Sequence, residues 1–169
     1  MKNKKFILLL FMPFLLLGCN PTPSNSSEQV SSVPESLRWR LDAEYYTTTA
    51  AGFERVSYAD IIIPKINNKG TFITYVYSVG CSVCASFEPI FREYLETNNI
   101  KAYAVSINEV ISVGGDLKKA SSYAPYVSLF KAGKINTTLS PTKAEHTAHF
   151  KSVTSFGEWL TTYIIINGD

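Results

Sequence analysis

The residues of this chain best suited to chemistry are Cys81 and Cys84, in the stretch Tyr75-Val-Tyr-Ser-Val-Gly-Cys81-Ser-Val-Cys84-Ala-Ser-Phe-Glu-Pro89. The stretch reads as a buried strand, a turn and then a helix. It predicts Cys81 in the first helical turn, where unpaired backbone N–H groups and the helix dipole favour negative charge. A thiol in such a place has a lowered pKa. Cys84, three residues on, lies on the same helix face and close enough to close a small disulfide ring. Two thiols so placed can exchange with a partner thiol or disulfide.

The same spacing also occurs in zinc sites, but a structural zinc needs four ligands, usually from a second Cys or Cys/His pair. The chain has no second Cys-x-x-Cys, and His146-Thr-Ala-His149 lies far along it. These histidines are expected at the solvent-exposed surface, and no metal site is expected.

The elements that must position the pair can be read from hydrophobic periodicity. Thr71 to Ser78 is rich in β-branched and aromatic residues and predicts a central strand. After the cysteines, Cys84, Phe87, Phe91, Tyr94 and Leu95 recur at steps of three and four, predicting one buried face of a helix that runs to about Thr97. Tyr77 and Phe87 are expected in the core and Glu88 on a solvated helix surface. Lys101 to Ile107 predicts a second strand, and two strands joined by a helical crossover imply parallel pairing.

Gly114-Gly115 interrupts the chain before a short helix over Asp116–Ser122. Tyr126 to Phe130 then predicts a strand, Lys131-Ala-Gly133-Lys134 a tight turn, and Ile135 to Leu139 its hairpin partner. Phe156, Trp159, Leu160, Tyr163 and Ile164 have helical spacing. Upstream, Ser57-Tyr-Ala-Asp60 resembles a capping box opening a helix, with Pro64 as its kink or terminator. Leu37, Trp39 and Leu41 alternate with Arg38 and Arg40 and predict a short strand, with Trp39 packed on the domain edge.

The N-terminus has a different character. Met-Lys-Asn-Lys-Lys precedes an apolar run from Phe6 to Leu17, too short to span a bilayer comfortably and suited to a signal peptide. It ends in Leu16-Leu17-Gly18-Cys19, which resembles a bacterial lipobox. That resemblance implies cleavage before Cys19 and acylation of its side chain, which accounts for an odd total of three cysteines. The segment from Asn20 to Ser36 is rich in Ser, Pro and Asn and has little to bury, so it reads as a flexible tether. Extended, it would reach roughly 50 Å. The expected organisation is a signal peptide over 1–18, a lipid-anchored linker over 19–36 and one folded domain over 37–169. Without Lys2, Lys4 and Lys5 the formal charge of +2 becomes −1, which gives no basis for nucleic-acid binding.

With these elements in order, the chain resembles the thioredoxin-like superfamily across roughly Thr71 to Ile164. The strand before the cysteines, Pro89 in the helix after them, and Ala124-Pro125 followed by Tyr-Val-Ser-Leu-Phe-Lys-Ala-Gly133 carry the resemblance. It implies an α/β thioredoxin-like fold, a central mixed β-sheet flanked by helices. It also implies a cis bond before Pro125, with Ala124 and Pro125 binding substrate backbone. In the implied thiol–disulfide exchange Cys81 attacks and Cys84 resolves. No dissociable cofactor is needed, because the redox centre is the pair itself. The implied partners are thiols or disulfides of exported proteins or peptides and a membrane redox partner, met at the extracytoplasmic face of a cell membrane.

The chain also departs from thioredoxins. Ser82-Val83 replaces Gly-Pro between the cysteines, Gly80 replaces the usual tryptophan, and Tyr75 stands where thioredoxins carry a buried acid. A phenol titrates near pH ~10 and is a poor base at neutrality. Cys84-Ala-Ser-Phe87-Glu-Pro89 is also similar to the Cys-then-Phe-x-Pro pattern of bacteriocin-accessory-type thioredoxin-like proteins, which assist disulfide formation in, or export of, a dedicated peptide. Three functions therefore stand open: a general oxidoreductase, an accessory module for one peptide, and an adhesion or assembly lipoprotein with a structural disulfide.

The lipobox generates a first prediction. Cys19→Ala should abolish incorporation of labelled fatty acid and leave the chain unprocessed or released. Label retained in that variant would contradict lipidation at Cys19.

Overall fold

The run Phe-Ile-Thr-Tyr-Val-Tyr becomes strand β2 (Phe72–Tyr77), whose first five residues are fully buried, as a strand covered on both faces must be. The structure, a computed structural model, describes residues 37–120 and 122–166. The other strands are β1 (Gly52–Arg55), β3 (Lys101–Ser106), β4 (Tyr126–Lys131) and β5 (Lys134–Leu139). They form one five-stranded sheet in the order β1-β3-β2-β4-β5. β3 runs parallel to both β1 and β2, while β4 runs antiparallel to β2 and to β5. This is the mixed sheet of a thioredoxin-like α/β fold.

The helices are α1 (Ile63–Asn67), α2 (Ser82–Thr97), α3 (Ile107–Val113), α4 (Asp116–Ala120) and α5 (Val153–Thr161). Tyr75 points to the sheet face covered by α2, where its ring meets Phe87 at 6.0 Å and Phe91 at 5.3 Å. Phe156 of α5 closes the same cluster, edge-on to Phe87 and Phe91. On the opposite face Tyr126, paired with Val76, donates its hydroxyl to the Leu117 carbonyl of α4 at 2.8 Å. Among the described residues no helix is long and apolar enough to cross a membrane.

Several elements differ from the sequence reading. Strand β1 was not foreseen, because only four residues form it and they do not alternate cleanly. Leu37 to Leu41 is not a strand. It contributes a single parallel bridge, Trp39 to Ile164, with Trp39 buried against the domain edge as expected. Helix α5 ends at Thr161, so Tyr163 and Ile164 lie beyond it. Helix α3 was also missed, although Ser106 caps it by accepting the Asn108 N–H at 3.3 Å.

The Ser57 cap is present, its hydroxyl oxygen accepting the Asp60 N–H, but the reciprocal carboxylate is Glu109. Ser57 donates to Glu109 at 2.7 Å and the Ala59 N–H donates to it at 3.2 Å. The turn it opens, Tyr58–Ile62, is π-wound, and Pro64 sits in the first turn of α1 instead of ending a helix. The π-wound turn runs directly into α1, and the proline, which lacks an N–H to continue the ladder, stands just after the winding changes.

Helix α5 packs closely on α2 at Gly157, where an added Cβ would press into the Tyr94 ring. Helix propensity alone says that Gly157→Ala stabilises by about 0.5–1 kcal/mol. Overpacking against a buried ring typically costs about 1–3 kcal/mol, so the clash decides the sign. Gly157→Ala should therefore lower the urea-unfolding free energy, and an unchanged or higher midpoint would contradict the close approach.

Candidate functional site

The turn that carries the first cysteine is set by Gly80. Its φ of +76° lies in the left-handed region that residues with a Cβ disfavour, and it lets the Cys81 N–H turn back to the Ser78 carbonyl at 3.4 Å. Cys81 then stands as the N-cap of α2, one position before the expected first turn, with extended φ and ψ of −80° and 113°. Its sulfur accepts the Cys84 N–H at 3.0 Å and so takes the capping role usually filled by an oxygen. The helix dipole and the free N–H groups of this end favour negative charge on that sulfur.

Cys84 occupies the buried stripe of α2 with Phe87, Phe91, Tyr94 and Leu95, as the periodicity predicted. It is 2% exposed, whereas Cys81 is half-buried. The two are joined by a disulfide, with Cα atoms 5.2 Å apart. Pro89 lies within α2, on its exposed side, and the carbonyl that loses its intrahelical donor belongs to exposed Ala85.

On the other side of Cys81 lies the segment that leads into β4. The Ala124–Pro125 bond is cis, and the Ala124 carbonyl oxygen is 3.8 Å from the Cys81 sulfur. The antiparallel register brings them together: Val76 pairs with Tyr126, so the residues before β4 lie beside those that follow β2. The structure thus gathers Cys81, Cys84, Ala124 and Pro125 at one end of the sheet. Cys19 lies outside the described residues.

A groove of about 540 Å³ opens beside the disulfide, and both cysteines line it together with Arg55, Tyr77 and Glu88. Here the sequence reading needs correction. Glu88 is not a freely solvated helix residue. Arg55 Nη2 donates to both of its carboxylate oxygens, at 3.1 and 3.0 Å. The Arg55 guanidinium also lies over the Tyr77 ring, 4.9 Å from its centre, and Tyr77 is half-buried, packed against the core on one side and lining the groove on the other. The spacing of Cys84 and Glu88, four apart on one helix, was visible in the sequence. Arg55 was not, because the strand that delivers it was not read.

Tyr75 is fully buried, and its hydroxyl has no hydrogen-bond partner among the described residues. Burial holds its pKa far above the usual phenol range, the Glu88 charge raises it further, and Arg55 opposes this. Its hydroxyl therefore stays protonated at neutral pH and takes no proton from a thiol.

His146 and His149 are half-buried, not solvent-exposed. The Ser140 N–H donates to His146 Nδ1 at 3.1 Å, and His149 Nδ1 meets the Ser155 carbonyl at 2.6 Å. Burial pushes the His146 pKa down. Among the described residues no group of three or more His, Cys, Asp or Glu side chains could hold a metal ion.

No protein-family model matches the chain, and no curated protein sequence matches it. Solved structures do. Thioredoxin O1 from Arabidopsis thaliana, in its oxidised state, aligns at 17% identity and a TM-score of 0.48, over 66% of this chain and 97% of that one. Thioredoxin from Trypanosoma brucei brucei aligns at 13% identity and a TM-score of 0.46, over 72% and 98% of the two chains. Malassezia sympodialis thioredoxin aligns at 19% identity and a TM-score of 0.42, over 59% and 92%.

The unequal surroundings of the two sulfurs give a direct expectation. In the reduced protein at neutral pH, iodoacetamide should modify Cys81 about tenfold or more faster than Cys84, since thiolate character and access both favour it. Mass mapping of the alkylated residue over time checks this, and equal or faster labelling of Cys84 would contradict it.

Proposed function

We propose that the chain is a membrane-anchored, extracytoplasmic thiol–disulfide oxidoreductase that exchanges dithiols and disulfides with exported proteins. The observation that carries the reading is the Cys81–Cys84 disulfide at the N-terminus of α2, with the outer sulfur capping the helix and the inner one buried.

In the reducing direction, the Cys81 thiolate attacks one sulfur of a substrate disulfide. The second substrate sulfur leaves as a thiolate and takes up a proton. Cys81 is then in a mixed disulfide. Cys84 loses its proton and attacks the Cys81 sulfur, the bond to the substrate breaks, and the substrate leaves as a second thiolate. The pair is oxidised and the substrate reduced by two electrons. The same steps in reverse oxidise a substrate dithiol.

Ala124 and Pro125 seat the substrate backbone beside Cys81. The Leu16-Leu17-Gly18-Cys19 sequence supports the anchor, and a membrane redox partner resets the pair. No dissociable cofactor enters the exchange.

A second reading is favoured by one observation. Val79 is 86% exposed and Val83 46% exposed, which sets apolar side chains immediately around the cysteines. Such a rim is suited to dock an apolar peptide segment. The chemistry is the same and the substrate range narrower.

Both readings meet in one experiment. Cys84→Ser should accumulate mixed disulfides through Cys81 in cells, because exchange stops without the resolving thiol, whereas Cys81→Ser should accumulate few. Many trapped proteins support the general enzyme and a single trapped peptide supports the accessory module. No trapped partner with either variant would leave only a structural disulfide.

A further inference from the structure

Resolution of the mixed disulfide requires a proton to leave Cys84, and the groove contains a group suited to take it. Cys84 is buried, and burial disfavours its thiolate. It lies in the apolar stripe of α2 and lacks the N-cap position that favours charge on Cys81. Tyr75 stays protonated, as argued above.

Glu88 lies four residues after Cys84 on the same helix, where side chains are neighbours with Cβ atoms about 5–6 Å apart. Both residues line the groove beside the disulfide. The carboxylate is held by two hydrogen bonds from Arg55, and its side chain is only 25% exposed. Two oxygens bound to one guanidinium nitrogen still have lone pairs to spare, so the clamp fixes the carboxylate without filling its acceptor capacity.

We propose that Glu88, positioned by Arg55, accepts the Cys84 proton as that sulfur attacks the mixed disulfide at Cys81. The inference rests on the dithiol-exchange reading above. The proton passes from the Cys84 thiol to the Glu88 carboxylate, directly or across one solvent molecule in the groove. The new bond is Cys84 to Cys81, the broken bond is Cys81 to substrate, and the departing substrate thiolate or solvent then takes the proton from Glu88. In the opposite direction Glu88 returns it to Cys84.

The ionisable groups around this carboxylate are Arg55 from β1, Tyr75 and Tyr77 from β2, Cys84 and Arg92 on its own helix, and Cys81 at that helix's N-cap. Arg92 is turned toward Glu96, 3.7 Å away, and lies over the Phe53 ring. Arg55 is thus the cation that holds the carboxylate in place. A field effect and a proton acceptor predict opposite signs. A negative charge near a thiol disfavours its thiolate, so if Glu88 acted only through its charge, Glu88→Gln would speed resolution. If Glu88 accepts the proton, the same change slows it.

The test uses the reduced, folded protein and dithiobis(nitrobenzoate), which releases one coloured thiolate when Cys81 is modified and a second when Cys84 resolves the mixed disulfide. The first phase reads Cys81 and the second reads Cys84. Glu88→Gln should slow the second phase at least about tenfold at neutral pH, a modest share of what general-base catalysis supplies. The difference should shrink as pH rises past the thiol's own pKa, and Glu88→Asp should restore part of the rate.

Arg55→Gln should also slow the second phase, by a smaller factor than Glu88→Gln, because the carboxylate is kept but no longer held in place. It keeps the test open if Glu88→Gln does not fold. An unchanged or faster second phase in Glu88→Gln, or in Arg55→Gln, overturns the assignment. Absence of a second phase in the unsubstituted chain overturns dithiol exchange itself and this inference with it.

Discussion

The packing of α2 on β2 fixes where the two sulfurs can be. Tyr75, Phe87, Phe91 and Phe156 form a contiguous group of rings between sheet and helices, with Phe150 set 4.6 Å from Phe87 and Phe53 at 5.6 Å from Phe91. Each such ring pair contributes about 0.5–1.5 kcal/mol beyond its burial. Together they leave α2 little freedom to slide or roll. Its N-terminus is therefore held at the end of the sheet where β2 finishes and β4 starts, and the disulfide is held against the Ala124–Pro125 segment.

From that placement comes an asymmetry between two chemically identical thiols. Cys81 caps the helix and is half-buried, with the Ala124 carbonyl near its sulfur. Cys84 belongs to the apolar stripe that anchors the helix. The first position favours a thiolate and access to a partner. The second disfavours both. The Arg55–Glu88 pair brings charge to the wall of the same groove without leaving a bare ion there, and Tyr75 beneath it contributes volume to the core and no proton chemistry. A dithiol centre in this chain thus draws its polarity from a helix end and from one strand-to-helix ion pair.

Much of this was legible in the sequence because it rests on local rules. A run rich in β-branched and aromatic residues marked β2, and the three-and-four spacing after Cys84 marked the buried face of α2. The order of cysteines, Pro125 and the Lys131–Lys134 turn marked the fold. What was hidden depended on distant partners. Strand β1 is short and amphipathic only in part, so neither it nor Arg55 could be placed beside Glu88. Gly80 read as a missing tryptophan, when its positive φ is what turns the chain into the helix. The one-residue shift of Cys81 from first turn to N-cap depends on that same turn. Glu109 completes a cap on a different segment, Tyr58–Ile62, a partnership no local pattern announces. His146 and His149 read as surface residues because their partners are backbone groups.

The central claim is that the Cys81–Cys84 pair is redox-active. The most direct measurement is its reduction potential, from the fraction of disulfide at equilibrium across a series of glutathione buffers. An exchange centre should equilibrate readily, with a potential within the range of about −270 to −120 mV spanned by thiol–disulfide catalysts. A value below about −300 mV, typical of structural disulfides, would contradict the account.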